Sequence, residues 1–457
     1  MQDLDIASTA ALGASQRDDW GATVAAFLAH CRSTPEHLGR VIEGAPDFAL
    51  AHAAKGFFLL LLGRSELVSP ACAAMAEAER LAETVPQEEP RRLHAYLEAL
   101  RLYAAGRPTA ATARLGRWLD EAPGDMLALK LDQAIRFVLG DRRGMLARTN
   151  SALAAYGGHA FEGFALGCHA FALEENGTYA AAEKAGRRGL EHAPNDAWGL
   201  HAVAHVYDMT AQTETGIAWL TRQTDAFAHC NNFGAHVWWH LALFHLDRGE
   251  HDEVLALYDA RIRAEHTDDY RDISNGAAML TRLEIEGIEV GERWEELAAL
   301  SENRVEPGCV VFADLHYLLA LEAGGRRGAA DAMIARLAAD AQASDHDMHE
   351  VAAVAGLPAA RGLAAFRAGQ YGPAFEALRG CRGALQRVGG SHAQRDVFSR
   401  LMIEAGIRAG RYAEAEEELA GRALRRGAED GFTARRREAI ARARAAQVEL
   451  SRGIAAE

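Results

Sequence analysis

WGLHAVAHVYDMTAQTETGIAWL at 198–220 and HVWWHLALFHLD at 236–247 decide how this chain is read. The two stretches carry two H-x-x-x-H pairs, His201/His205 and His236/His240, and the second repeats the first after 35 residues. Residues four apart share one face of a helix, so each pair aims two imidazoles at one spot. A displacement close to 34 residues is the period of a helix-turn-helix repeat whose successive first helices stack side by side. One wall of stacked helices is therefore expected to carry four histidines, and the chemistry of the protein is expected there.

Working outward, Ala, Leu, Glu and Arg dominate and no sustained alternating β-branched run occurs, which predicts a helical chain throughout. Turn signals recur at Gly63, Gly106, Gly140, Gly177, Gln212, Gly249, Gly287, Gly325, Gly369 and Gly410, in steps of 34 to 44 residues. Such glycines end one helix and permit the reversal into its antiparallel partner. EGAPD at 43–47, EAPGD at 121–125 and EHAPND at 191–196 each stop a second helix with proline and offer Asp or Asn to cap the next. The expected fold is all-α: an irregular tetratricopeptide-like helical-repeat superhelix, or α–α solenoid. Residues 1–46 are expected as an N-terminal helical cap, 47–420 as the array, and 421–457 as an Arg/Ala-rich capping helix.

Composition fits this reading. A chain of 457 residues exceeds one ordinary domain, but a helical array reaches that length as one body. With 49% hydrophobic and 25% charged residues the chain has a globular rather than a disordered profile. A net charge of −15 argues against a nucleic-acid partner, because an acidic surface repels phosphate. Met1 to Asp19 lacks the apolar segment of a secretory signal, and the longest apolar run, Phe57 to Leu62, is too short to span a bilayer. Six scattered cysteines without a C-x-x-C pair suit buried thiols in a reducing cytoplasm. A cytoplasmic protein with neither nucleic acid nor membrane as partner is expected.

The first helix of each unit is where unusual residues collect. Counting back from the turn, His201, His205 and Asp208 lie 11, 7 and 4 residues before Gln212, whereas Trp238, Ala242 and His245 hold those offsets before Gly249. A shared wall of histidines thus requires one helix to rotate relative to the other. FADLHY at 312–317 places Asp314 and His316 on a further first helix. GGSHAQRDVF at 389–398 then gathers Ser391, His392, Gln394, Arg395 and Asp396 at a helix start. Two glycines before a serine suggest a sharp turn whose backbone N–H groups and cap hydroxyl hold an anion or carboxylate. Plainer alternatives stand beside each reading. The histidine pairs and Trp238/Trp239 can be packing, His245 a helix-dipole partner, and Ser391 an ordinary N-cap with Arg395 and Asp396 in a structural ion pair. Arg435, Arg436 and Arg437 read as solvating a capping helix.

HAVAHVYDM, GIAWL, HVWWHLALFHLDRGEHDEVLALYD, FADLHYLLAL and GGSHAQRDVF together resemble the tetratricopeptide repeat protein 38 family, over most of the chain from about Asp47 to Leu419. The resemblance implies an α-helical repeat fold and supplies no biochemical activity.

Two functions follow as expectations. One is a binding module that takes a small polar or anionic molecule or a peptide in its concave interior, with Trp238, Trp239, Asp314, His316, Ser391, Gln394, Arg395 and Asp396 as ligand-binding candidates. The other is a small-molecule enzyme of hydrolase or lyase type, with His201, His205, His240 and His392 as acid/base groups. A divalent metal ion is the cofactor that His201, His205, His236 and His240 would hold. P-loop, G-x-G-x-x-G, G-x-S-x-G and H-E-x-x-H signatures are all absent, the last because residue 202 is Ala.

Overall fold

The computed structural model describes residues 12–83, 91–306 and 308–454. Of the expected caps, residues 1–11 and 455–457 lie outside the described residues. Helices follow one another in antiparallel pairs. The first are α1 (Ala14–Leu28) with α2 (Thr34–Gly44), α3 (Ala49–Leu61) with α4 (Val68–Ala82), and α5 (Arg91–Ala104) with α6 (Pro108–Glu121). Then come α7 (Met126–Val138) with α8 (Arg142–Ala152), α9 (Glu162–Glu175) with α10 (Tyr179–His192), and α11 (Ala197–Met209) with α12 (Thr213–Thr221). The second half holds α13 (Phe233–Asp247) with α14 (His251–Leu257), α15 (Tyr270–Ile285) with α16 (Arg293–Glu302), and α17 (Val311–Ala323) with α18 (Arg327–Asp340). After the short α19 (Asp347–Val351) come α20 (Leu357–Arg367) with α21 (Tyr371–Cys381), α22 (His392–Arg408) with α23 (Tyr412–Arg426), and the closing α24 (Gly431–Ile454). Among the described residues no strand forms beyond an isolated antiparallel bridge between Cys31 and Cys230. No described helix is long and apolar enough to cross a membrane.

This is an all-α helical-repeat array. First helices stack in series, α9 on α11, α11 on α13, α13 on α15, α15 on α17, α17 on α20 and α20 on α22. Their composition follows from that position. Every residue of α11 except Asp208 is buried, and α17 is buried from Val311 to Leu321, as expected of helices that are apolar all round. The second helices are amphipathic instead: α10 buries only Ala182, Gly186 and Gly189.

The turns follow the glycine spacing at nine of its ten positions. Gly63, Gly106, Gly140, Gly177, Gly249, Gly287, Gly325, Gly369 and Gly410 all adopt φ between 61° and 82°. At the tenth, the left-handed residue is Ala211 (φ 54°), not Gln212, which is a correction of one residue to the predicted turn. The long step between Gly325 and Gly369 accommodates α19 and the π-helical turn Ala352–Gly356.

The later units pack against the earlier ones, and the partners advance together along both halves. Asp347 N donates to Gly106 O (2.9 Å), Gln386 Nε2 to Gly140 O (2.9 Å), His392 N to Glu175 Oε1 (2.7 Å) and Gly431 N to Asp247 Oδ1 (2.8 Å). Arg435 and Arg436 belong to this packing rather than to solvation, contrary to the sequence reading, whereas Arg437 stays at the surface of the last helices. Arg435 binds Glu286 and the Asp247 carbonyl, Arg436 binds Glu404 and Arg437 binds Glu416.

The turn at Gly140 shows how close the two halves lie, because a Cβ there would sit 1.8 Å from Gln386 O, whereas a Cβ on Gly177 would meet nothing within 4 Å. Both backbones are left-handed, so Gly177→Ala is expected to cost about 1–2 kcal/mol of strain alone. Gly140→Ala carries the same strain plus the clash and should be clearly the more destabilising in urea unfolding. Equal losses would show that the 140 turn and residue 386 are not in contact.

Candidate functional site

Adjacent stacking of α11 and α13 brings the two histidine pairs together. His201 Nε2 lies 2.9 Å from His205 Nε2 and 3.0 Å from His236 Nε2, and His240 Nε2 lies 3.3 Å from His236 Nε2. His205 and His240 are fully buried, His201 is 2% exposed and His236 9%. An aromatic frame holds the rings. Trp239 stacks on His236 at 5.4 Å and meets His240 edge-on at 5.0 Å, while Phe171 stacks on His201 at 5.8 Å and meets His205 edge-on at 5.6 Å.

The outer nitrogens set the electronic state of the inner ones. His236 Nδ1 donates to Asn275 Oδ1 (3.1 Å), and His205 Nδ1 lies 3.4 Å from Glu174 Oε2. The Nδ1 atoms of His201 and His240 have no partner among the described residues. Burial, and then the charge of neighbouring histidines, holds His201 and His240 well below the ordinary imidazole range and His236 down at about 3. His205 differs: burial would lower it too, but Glu174, with Glu175 and Asp208, outweighs burial and raises it. Of the four rings, His205 alone is pushed toward the charged form, and it is the one beside Glu174. Glu174 itself is fully buried, and neither of its oxygens has a hydrogen-bond partner among the described residues. Glu175 is held below its ordinary range, burial being outweighed by His392 and Arg395.

His201 and His236 form part of the wall of an interior cavity of about 490 Å³. Phe27, Leu38, Ile42, Phe58, Phe137 and Phe233 supply its apolar surface, and Lys130, Gln133, Arg271, Asn275, Ser391 and Gln394 its polar groups. Lys130, 5% exposed, lies with Nζ 4.5 Å from the centre of the Trp198 ring and, among the described residues, makes no ion pair or hydrogen bond. Asp196, at the start of α11, has its carboxyl pushed up to about 7 by burial, with Lys130 pulling the other way. The loop between α1 and α2 closes this side of the cavity. Asn231 N donates to His30 O (2.9 Å), Arg32 N to His229 O (3.2 Å) and Arg32 Nη2 to Ala228 O (3.0 Å). His30 takes a left-handed backbone (φ 55°) to make this bend and stacks on Phe233 at 4.3 Å.

Other predicted residues are placed differently. Trp238 is turned away from the cavity, packing edge-on against Phe227 at 5.3 Å beneath the Arg261 guanidinium, so it does not line the ligand space. Trp239 supports the histidines from behind instead of facing a ligand. Asp314 is buried in an ion pair with Arg336 (2.7 Å). His316 donates through Nδ1 to Phe312 O (2.7 Å) and is wedged between Phe312 and Phe398, where burial lowers it to about 4.

The 389–398 loop does reach the cluster, but most of its polar groups serve the loop. Gly389 and Gly390 are both left-handed, and their carbonyls, not their N–H groups, point inward to accept from Arg395 Nη1. The expected anion cradle is thus a cation clamp. Ser391 and Gln394 close a reciprocal capping box at the start of α22, although both still border the cavity. Arg395 also binds Glu175 Oε2 (3.2 Å) and Gln386 Oε1 (3.0 Å). Asp396 pairs with Arg400 and Arg422, not with Arg395. His392 binds Glu175 through both its backbone N–H and its ring. His245 pairs with Glu250 (2.6 Å).

Sequence reasoning missed Glu174, Glu175, Lys130 and Asn275. Glu174 and Glu175 stand at a helix end just before a turn glycine, where acids are normally solvated. Lys130 and Asn275 carry no spacing that marks them. The chain matches no known protein-family model.

Proposed function

We propose that this protein is a helical-repeat binding protein whose interior cavity takes one small molecule with an apolar body and an anionic head. Lys130 is the observation that carries the reading. A largely buried ammonium that borders the cavity with no hydrogen-bonded carboxylate leaves its charge for a ligand, and a ligand carboxylate or phosphate supplies what the fold withholds. The cavity volume of about 490 Å³ lies within the range of small-molecule sites, and its wall is apolar with a few convergent polar groups. The 29–32 loop walls one side of the cavity, and a pocket of this volume suits a small molecule better than a peptide, which would need a groove open along its length. Calorimetric titration with decanoate, and with decanol as the uncharged control, tests this. Decanoate should bind more tightly, and Lys130→Met should weaken it about 10- to 100-fold, the equivalent of a charged hydrogen bond of about 1.5–3 kcal/mol. Equal binding of acid and alcohol, or no effect of the substitution, would sink the reading.

A second reading is an enzyme of hydrolase or lyase type, favoured by the position of His201 and His236 on the cavity wall. Recovery of the bound molecule chemically changed would select it over the binding protein. We also propose kinship with the tetratricopeptide repeat protein 38 family, supported by the meeting of the histidine helices and the GGSHAQRDVF loop around Glu174 and Glu175. A family member whose corresponding histidines lie apart would refute it.

A further inference from the structure

We propose that His201, His205, His236 and His240 bind one divalent transition-metal ion through their four Nε2 atoms. The site is independent of the ligand reading above, although its ion would stand at the wall of the same cavity.

The spacing is the first ground. An ion with Zn–N bonds of about 2.0–2.1 Å in a tetrahedral shell holds its nitrogens about 3.3 Å apart. The Nε2 separations of 2.9, 3.0 and 3.3 Å need only a slight opening to reach that value, and one nitrogen from each of the four rings lies within 4.8 Å of the others.

Orientation is the second. A metal-bound imidazole usually donates its other N–H to a carboxylate or carbonyl, which turns the remaining lone pair toward the ion. His236 does so to Asn275 Oδ1, and His205 Nδ1 is turned toward Glu174 Oε2 at 3.4 Å. Two lone pairs are thereby directed into the centre of the cluster.

Without an ion the four Nε2 atoms have few protons to share among them. The Nε2 of His236, its ring proton already on Nδ1, is an acceptor that two other imidazoles approach at 3.0 and 3.3 Å. His201 Nε2 is shared between His205 and His236 and has at most one proton to give. One His201 proton must then serve two acceptors, His205 and His236, in a buried space, which is unfavourable. One cation accepts all four at once. Its charge also meets a need: Glu174, buried and without a hydrogen bond, stands behind His205. Four neutral nitrogen donors without a ligating carboxylate suit zinc, cobalt, nickel or copper, and not calcium or magnesium, which take oxygen.

The test uses the untagged full-length chain, stripped with a chelator and titrated with Zn²⁺ and Co²⁺ separately against a chromophoric competitor, with metal content read by mass spectrometry. One ion per chain is expected, and Co²⁺ should develop the intense visible absorption of a four-coordinate centre. The double variant His236→Asn/His240→Gln should lose more than about 100-fold in affinity. Glu174→Gln, which keeps all four ligands, should lose about 10- to 100-fold, the effect of removing an outer partner of a metal-bound histidine. Lys130→Met should leave metal uptake unchanged, so failure of the ligand reading would not touch this one. Substoichiometric uptake of both ions, or undiminished uptake by the double variant, overturns the proposal. If the double variant fails to fold by circular dichroism, Glu174→Gln decides: weakened binding supports the site and unchanged affinity overturns it.

Discussion

Arg395→Ala should lower the unfolding free energy by about 3–5 kcal/mol, the effect of removing one partner of a buried ion pair. Arg395 is 7% exposed and joins the Gly389 and Gly390 carbonyls, Gln386 Oε1 and Glu175 Oε2. Its loss would leave the Glu175 carboxylate, 1% exposed, to His392 alone among the described residues, whose N–H binds Oε1 and whose ring lies 3.6 Å from Oε2. The fold cannot easily relax around the defect, because a Cβ on Gly389 would already sit 2.3 Å from Val138 O and the loop is wedged against α7. Glu175→Gln combined with Arg395→Met should therefore cost less than the two single losses added, since the second change removes a charge the first has left unpaired. Urea unfolding of the four proteins measures this. A loss below about 1 kcal/mol without coupling would mean that the loop is held by its capping box alone. The sequence reading made Arg395 a ligand-binding candidate, with an ion pair to Asp396 as the plainer alternative. The structure gives it four partners within the fold instead, none of them Asp396.

The fold was legible because its turns need a left-handed residue, and glycine is the residue that supplies it cheaply. The exception is instructive. Ala211 occupies that position in the unit of His201 and His205, so a search for glycine placed the marker one residue late. Measured from Ala211, His205 lies six residues before the left-handed position, and His240 lies nine before Gly249. Three residues span about 300° of helix, so the pairs face within about 60° of one another and need far less rotation than the Gln212 register required. What remained hidden has a different cause. Glu174 and Glu175 act across the interior on residues far along the chain, and Glu175 meets His392 only because the later units fold back over the earlier ones. The 29–32 loop reads as part of a terminal cap, yet it pairs with 228–231 and closes the cavity. No local pattern encodes such contacts, whereas helix faces and turns are local by nature.

The largest pH-dependent effect should come from the C-terminal clamp. Arg422 on α23, 2% exposed, binds Asp396 of α22 at 2.7 and 2.9 Å and Asp430, just before α24, with two contacts of 2.7 Å. One guanidinium thus ties the last three helices together, and Asp430 also accepts from Thr433 N (3.0 Å) at the start of α24. Burial alone would raise both carboxyls, but Arg422, with Arg400 and Arg426, holds them below the ordinary range. A carboxyl depressed in the folded state contributes stability that is fully present above its unfolded value of about 3.9 and is lost as pH falls toward the folded value. Arg422→Met should accordingly cost about 3–5 kcal/mol near neutral pH. Below about pH 4 the difference from the wild type should shrink, because the unfolded chain takes up protons there and the variant's folded state no longer resists them. The shrinkage separates charge from packing. Arg422 also lies over the Phe432 ring at 5.2 Å, and a loss due to that contact would persist unchanged across the acid range. A gap that stays constant from neutral pH into the acid limb would therefore assign the clamp to packing on Phe432, and a narrowing gap assigns it to the two aspartates.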